Sequence, residues 1–429
     1  MTLPQLRSVS DTAPASPGGP VAADVVMAQA EALLGAFGSP LYVVSEAALR
    51  ESTRAFARGF APSGITPRIA YSYKTNYLPA VCAILHQEGA TAEVVSGMEY
   101  SFARTLGVPA GDIVFNGPGK TRGELSAAHS DGALVVVDGF DELDAVISIA
   151  AQAGSGRPFR IGLRIDLSET GWSRFGFRHD GGDARRALER VAAARGLSLE
   201  LLHHHAGTDH RDPAPYLRAT RALCRIRQEA EALGLSIPAL DLGGGFPANL
   251  SSAPFAAAIA QGLKQSPGAA PQIVVEPGRA LIDPAMWLVC TVTATKEIPG
   301  LGRTAVVDAG INMLPPACRS APRPMAAVRP ARGAPAPTSV FGPLCMPEDR
   351  LAERAALPQL RPGDPLVIGE AGAYTLTQST QFSAPRPAVV LLGPGGAEIV
   401  RRREDWRDVI APCALPERLR ADAAHKERA

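Results

Sequence analysis

The stretch IAYSYKTNYLPAVCAILHQEGATAEVV (69–95) decides the fold. Its ends, IAYSY (69–73) and AEVV (92–95), are short β-prone runs, and the alanine-rich segment 77–88 between them reads as a helix. The same unit then repeats. Further β-prone runs are DIVF (112–115), ALVVVD (133–138), FRIGLRI (159–165), LELLHHH (199–205), ALDL (239–242) and QIVVE (272–276). Helix-like stretches such as 140–153, 182–195 and 213–233 separate them. Eight strands alternating with helices over about 200 residues are the pattern of a closed (β/α)8 barrel, with a doubly wound sheet as the rival.

Outward from this core the pattern changes. Residues 1–22 are rich in Pro, Ser, Gly and Ala and read as a flexible segment. Residues 23–37 read as a helix that Gly38 and Pro40 stop, and LYVVS (41–45) as a strand. After residue 285, MWLVCTVTATK, RTAVVDAG, DPLVIGEAG and RPAVVLLG are strands with little room for helices. The expected architecture is therefore α/β. A TIM-like barrel spans 66–285, a β-rich C-terminal domain spans 286–429, and an N-terminal helix and strand span 23–65. Within the C-terminal part, 315–337 holds seven prolines and four arginines and is expected to be a mobile loop.

The totals exclude several classes. With 43 basic and 42 acidic residues the chain has no electrostatic footprint for nucleic acid. No apolar run approaches a membrane span, and the N-terminus lacks the apolar core of a secretory signal. The six cysteines form no CxxC pair, against a disulfide scaffold or a zinc finger. A cytoplasmic enzyme is the expectation. Only five of the basic residues are lysine: Lys74, Lys120, Lys264, Lys296 and Lys426. Where arginine supplies most of the positive charge, each lysine invites a chemical question.

Three motifs fail on inspection. NGPGKT (116–121) ends like a phosphate loop, but the first glycine of that motif would fall on Val114. GGGFPA (243–248) fits a dinucleotide fingerprint, yet no Asp or Glu occurs from 249 to 275. In HHH (203–205), strand alternation puts His203 and His205 on one face and His204 on the other, and no third ligand has evident spacing, so no metal is expected.

What survives stands at strand ends. Lys74 follows strand one, His205 ends strand six, Gly243, Gly244 and Gly245 follow strand seven, and Glu276 ends strand eight. In a barrel these ends converge on one mouth. The glycines leave backbone N–H groups open to an anion, and Gly278 and Arg279 complete a cradle. Each feature alone has a plain reading, Lys74 as surface charge and Glu276 as an arginine's partner. Together they call for a phosphorylated cofactor that needs a lysine and a carboxylate, which describes pyridoxal 5'-phosphate.

The chain resembles the barrel-type pyridoxal-phosphate decarboxylases, the group of the diaminopimelate, ornithine and arginine decarboxylases. The resemblance runs from about residue 40 to 400. It rests on YSYKTN (71–76), AEVVSGMEY (92–100), FNGPGKT (115–121), SRFGF (173–177), HHHAGT (203–208), LDLGGGFP (240–247), EPGR (276–279), VDAG (307–310), GPLC (342–345) and EAGAY (370–374). It implies that Lys74 forms the imine with the cofactor, that His205 stacks on its ring and that Glu276 holds the pyridine nitrogen protonated. Gly243 to Gly245, Gly278, Arg279 and Tyr374 would bind the phosphate, with Glu93 and Ser96 near the cofactor. Asp308 would approach the distal part of the substrate. Cys345 would come from the neighbouring subunit of a homodimer, and it or a water it positions would return a proton to the substrate's Cα. The resemblance also places the segment before the barrel in the β domain.

Departures cluster on the distal end of the substrate. Met346 follows Cys345 where diaminopimelate decarboxylases carry an acid, leaving Glu348 and Asp349 as the nearby substitutes. INMLPP follows VDAG where those enzymes carry an Arg-Pro stretch ending in tyrosine, and Glu370 replaces an aspartate. The expected activity is decarboxylation of a diamino acid or a conjugated derivative. Alternatives are a racemase or epimerase on the same fold and a non-catalytic regulatory relative. A racemase needs a base on each cofactor face, for which only Lys74 and Cys345 are candidates. A regulatory relative predicts loss of cofactor groups that are all present.

Overall fold

The computed structural model describes residues 19–153, 156–167, 174–264, 268–315, 322–330 and 332–419. The chain enters through α1 (Gly19–Phe37), β1 (Leu41–Ser45) and α2 (Glu46–Phe60). Helix α1 therefore includes residues 19–22 of the stretch expected to be flexible. Pro20 lies in the first turn of α1, where a missing N–H breaks no helical bond. Residues 1–18 lie outside the described residues.

The alternating pattern closes into a barrel. Its strands are β2 (Arg68–Ser72), β3 (Thr91–Val94), β4 (Ile113–Phe115), β5 (Leu134–Val137) and β6 (Phe159–Asp166). A two-residue β7 (Phe177–Arg178) hangs on β6, and β8 (Leu197–His203), β9 (Ala239–Asp241) and β10 (Gln272–Val275) complete the ring. Every neighbouring pair is parallel, and β10 pairs with β2 to seal it. The connecting helices begin with α3 (Pro79–Gln87), α4 (Gly97–Thr105), α5 (Arg122–Asp131) and α6 (Phe140–Gln152). They continue with α7 (Asp183–Ala193), α8 (Ala214–Ala232) and α9 (Ala253–Leu263). α2 also packs on this outer wall, against α3 and α9.

The interior shows why such short strands suffice. Ala70, Val114, Leu134, Val136, Leu201, Ala239 and Val274 form a closed apolar plug inside the barrel. Strand side chains alternate with a period of two. The residues two positions beyond the plug therefore point inward one layer higher: Ser72, Asn116, Asp138, His203, Asp241 and Glu276. Six of the eight strands are thus apolar below and polar at or just past their C-terminal ends, and the polar layer floors the mouth.

The second domain is a mixed sheet. It comprises β1, β11 (Met286–Ile298), β12 (Gly302–Val307), β13 (Met325–Ala327), β14 (Ala336–Phe341), β15 (Arg350–Leu357), β16 (Pro365–Ile368), β17 (Ala388–Gly393) and β18 (Gly396–Arg401). β1 lies antiparallel to β11 and parallel to β17, so the segment before the barrel does belong to this sheet. The expectation that 315–337 holds no regular structure is corrected. Met325–Ala327, three residues free of proline, pair antiparallel with β16, and Ala336 and Pro337 open β14. Arg329 and Arg332 then anchor the stretch on Asp364, at 3.1 and 2.7 Å. The proline count described the ends of this segment and missed the strand between them. Residues 316–321 and 331 lie outside the described residues. Among those described, no helix is long and apolar enough to cross a membrane.

Candidate active site

A cavity of about 330 Å³ opens over the polar layer at the C-terminal ends of the strands. Its wall brings together Lys74, Glu93, His205, Gly244, Gly245, Glu276, Gly278, Arg279 and Tyr374, nine of the residues singled out in the sequence. They span 300 positions of chain, and only the barrel topology makes them neighbours.

Lys74 sits in the turn that follows β2. Its Nζ lies 2.7 Å from Glu93 Oε2, which also accepts from Ser72 Oγ at 2.6 Å. Burial pushes the Lys74 ammonium down, but Glu93 and Glu276 outweigh it and hold the group above the ordinary lysine range. A third of the side chain is exposed, and that third faces the cavity. Glu276 follows β10 and is buried. Asn116 Nδ2 donates to its Oε1 at 2.5 Å and to Glu93 Oε1 at 3.2 Å, tying the two carboxylates to one amide.

The histidines follow strand alternation. His203 and His205 both face the cavity, while His204 turns away, with Nδ1 2.9 Å from the carbonyl of Ile165. Burial depresses the pKa of His203 and His205 well below the usual imidazole value, so both rings are neutral at neutral pH. His205 Nδ1 accepts from the Gly207 amide at 3.1 Å, which fixes its ring plane.

The opposite end is built for an anion. A Cβ on Gly244 would meet the Glu276 carbonyl at 2.6 Å, on Gly245 the Gly207 carbonyl at 2.5 Å, and on Gly278 the Thr75 hydroxyl at 2.0 Å. Only glycine lets these three turns close on one another. Arg279 is buried and its guanidinium pairs with Asp283 at 2.8 Å. The second oxygen of Asp283 accepts from the amides of Gly372 and Ala373, at 3.1 and 2.6 Å. The same loop carries Tyr374, whose amide donates to the Thr75 carbonyl at 2.8 Å. The barrel and the β domain thus share this end of the cavity.

Other sequence candidates lie elsewhere. Ser96 is the N-cap of α4, its hydroxyl accepting from the Glu99 amide at 3.2 Å. The amide of Gly243 donates to Asp241 Oδ1 at 2.9 Å and so points away from the cavity. Asp308 follows β12 in the sheet domain, where its carboxylate accepts from the Thr291 amide. Cys345 is exposed, and neither it nor Asp308 lines the cavity of its own chain. Asp349 is buried, and its two oxygens accept from the amides of Ile311 and Leu344, each at 2.7 Å. It therefore clamps two loops and is not available to a substrate.

Several positions went without a role in the sequence reading, His203 among them after its rejection as a metal ligand. Asn116, Arg164, His203, Asp241 and Asp283 all belong to the site or its frame. The signal for four of them was the step of two from a small or apolar strand residue to a polar one. Lys120, dismissed with its false phosphate loop, is a buried cation beneath the cavity, 2.9 Å from Glu142.

A second cavity, about 420 Å³, lies between Tyr77, Phe102 and the sheet residues Arg386 and Arg401. It is larger but holds no lysine or glycine cradle, so chemistry assigns the site to the smaller one. Burial raises its Glu99 from the ordinary 4.5 to about 7. The folded state therefore keeps a proton that the unfolded chain releases, and this contribution to stability is lost as pH rises from 4.5 to 7. Glu99→Gln is expected to gain about 2 kcal/mol on the wild type between pH 5 and pH 8. Denaturant midpoints at the two pH values measure it, and an equal difference at both would contradict the assignment.

The cavity fits pyridoxal 5'-phosphate. A lysine, a buried carboxylate, a neutral imidazole and a glycine-arginine cradle occur in one space. The buried Thr75 hydroxyl, which makes no hydrogen bond to the described residues, is left for the cradle's ligand. The one group of three potential metal donors among the described residues, His203, Asp241 and Glu276, shares a residue with this arrangement.

Comparison with known proteins agrees with this chemistry. Residues 46–283 match the family model of the pyridoxal-dependent decarboxylase, pyridoxal binding domain. The chain is 30% identical over 402 residues to the diaminopimelate decarboxylase of Bacillus subtilis, covering 87% of this chain and 91% of the relative. The structure of Methanocaldococcus jannaschii diaminopimelate decarboxylase in complex with L-lysine superposes with a TM-score of 0.83 at 27% identity, covering 90% and 95% of the two chains. The lysine/ornithine decarboxylase of Vibrio vulnificus, complexed with putrescine, gives 0.74 at 25% identity, covering 86% and 98%.

Proposed function

The chain belongs to the pyridoxal-dependent decarboxylases, and from that premise we propose that it decarboxylates a diamino acid or conjugated diamino acid whose distal end is held differently from that of diaminopimelate. It is a pyridoxal-phosphate-dependent amino-acid decarboxylase, similar to diaminopimelate decarboxylases at about 30% identity. The substrate is the open question, and the loops near Cys345 carry the proposal. Met346 stands where those enzymes place an acid, Glu348 is exposed and Asp349 is committed to backbone amides. Arg174 lines the cavity, its guanidinium 3.9 Å from the Phe175 ring centroid, and adds a positive charge to its wall.

Bound pyridoxal phosphate supplies an electron sink for the pair left on Cα when the carboxylate departs. The residues divide the remaining work. Lys74 would anchor the cofactor and move a proton at its Nζ, with Glu93 beside it as acceptor. Glu276 would hold the proton on the ring nitrogen, kept in place by Asn116. His205, neutral and fixed by Gly207, would lie flat against the ring. Gly244, Gly245, Gly278, Arg279 and Tyr374 would fix the phosphate. Cys345, which lies outside its own chain's cavity, would reach the reacting carbon from a second subunit of a homodimer, with Asp308 arriving from the same direction.

Incubation with a panel of diamino acids and their N-acylated or amide-linked conjugates, scored for CO2, tests the proposal. A conjugate or non-standard diamino acid turned over at least about tenfold faster than meso-diaminopimelate is expected. A kcat/KM highest for diaminopimelate itself would refute the altered-substrate reading. Racemised substrate without CO2 would refute the decarboxylase assignment.

A further inference from the structure

The polar layer under the cavity has one carboxyl too many. Glu93 has Lys74 at 2.7 Å, Glu142 has Lys120 at 2.9 Å, and Asp138 has Arg164 at 3.7 Å. Asp241 and Glu276 remain. Asp241 is fully buried and Glu276 is 2% exposed, and with His203 each brings a donor atom within 4.8 Å of the other two. Two such carboxylates in a low-dielectric space do not both ionise, and one keeps its proton.

The contacts decide which. His203 is not the proton's resting place, since burial and the Arg164 guanidinium keep its ring neutral. Glu276 is the better-supported anion. It accepts from Asn116, and His203 Nε2 stands 3.5 Å from its other oxygen. Asp241 uses Oδ1 for the Gly243 amide, while Oδ2 accepts no hydrogen bond from the described residues. Glu93 from β3 and Glu276 from β10 bear on Asp241 with like charge, and Arg68 from β2 is the countercharge it feels. Burial first, and the charge of Glu276 second, favour its protonated form.

We propose that Asp241 is held as the neutral carboxylic acid and aims its proton at Glu276, a positioning residue that leaves Glu276 the single ionised carboxylate at the ring end of the cavity. The inference rests on the reading of Glu276 as the partner of the cofactor's ring nitrogen. One proton between two carboxyls gives the ring nitrogen a full anion to face, and it keeps two neighbouring buried carboxyls on the cavity floor from both being charged. The glycine turn enters the same arrangement, because the Gly243 amide holds the other end of the Asp241 carboxyl.

Infrared difference spectroscopy of the cofactor-loaded enzyme at pH 7.5, with carbon-13 aspartate labelling, reads the proton directly. A carbonyl stretch of an un-ionised aspartic acid is expected in the wild type and is lost in Asp241→Asn. Dilution of the loaded enzyme gives cofactor affinity. Asp241→Asn, which keeps a donor towards Glu276, should hold Kd within about threefold, whereas Asp241→Leu should raise it at least about tenfold. Absence of the band in the wild type, or its persistence in Asp241→Asn, would overturn the proposal, as would equal loss of affinity in the two variants. Stoichiometric zinc retained in equilibrium dialysis would overturn it too, by making the trio a metal site. Glu276→Gln with unchanged Kd would instead remove the reading of Glu276 while leaving the aspartic-acid band to stand.

Discussion

Lys74→Ala is expected to lose the absorbance band of the lysine–cofactor imine and to slow CO2 release by at least about a thousandfold. The lysine is the one group in the cavity whose nitrogen can bond covalently to an aldehyde. Arginine is not a substitute, because its guanidinium stays protonated, so Lys74→Arg is expected to fail equally. The phosphate end should survive in both variants. Gly244, Gly245, Gly278 and Arg279 make no hydrogen bond to Lys74, and Arg279 is held by Asp283. Cofactor should therefore still be retained, non-covalently and in its free-aldehyde spectrum. Stability should fall modestly, by about 1–3 kcal/mol, because Glu93 loses its cation while Ser72 and Asn116 still donate to it. Absorbance spectra, CO2 release and urea midpoints of the purified variants measure the three effects. A Lys74→Ala protein that keeps the wild-type spectrum would remove the lysine from the site.

The barrel was legible because its signal is repetitive. Eight β-prone runs with helices between them survive an error in any one, and closure follows from their number. Lys74, His205 and Glu276 were legible for a related reason. They stand at strand ends, and a parallel barrel sends all such ends to one mouth. The polar layer beneath was written in the same strands, in pairs such as Ala70 and Ser72, Val114 and Asn116, Ala239 and Asp241. It went unread because each polar member, taken singly, looks like the start of a loop. Lys120 was missed for the opposite reason. Its motif was tested against a phosphate loop, failed, and left it without a role, although a lysine so placed beside Val136 and Glu142 is buried. Strand β13 was hidden by the prolines around it, since composition averages over a window wider than three residues. Asp349 shows the limit of proximity in sequence. It lies four positions from Cys345, but its carboxylate folds back onto the amides of Ile311 and Leu344.

Mixing two inactive variants should restore activity, and this follows from where Cys345 is. The thiol is exposed and outside the cavity that holds its own chain's Lys74. If it acts in the reaction, the cavity it serves belongs to another copy. Cys345→Ala should then form product at least about a hundredfold more slowly while keeping cofactor, because no cofactor contact is removed. Lys74→Ala alone should be inactive. In a two-fold homodimer each site takes its lysine from one chain and its cysteine from the other. A mixed dimer of the two variants contains one site with both residues intact and one with neither. Equal mixing with free subunit exchange makes half the dimers mixed, so activity should recover to roughly a quarter of the wild-type value. Recovery should require exchange, rising with incubation time and with dilution and reconcentration of the two proteins. Sedimentation equilibrium of the wild type should report the dimer. No recovery after demonstrated exchange, or a Cys345→Ala enzyme with the wild-type rate, would place the chemistry within a single chain and return the cysteine to an exposed loop with no part in the reaction.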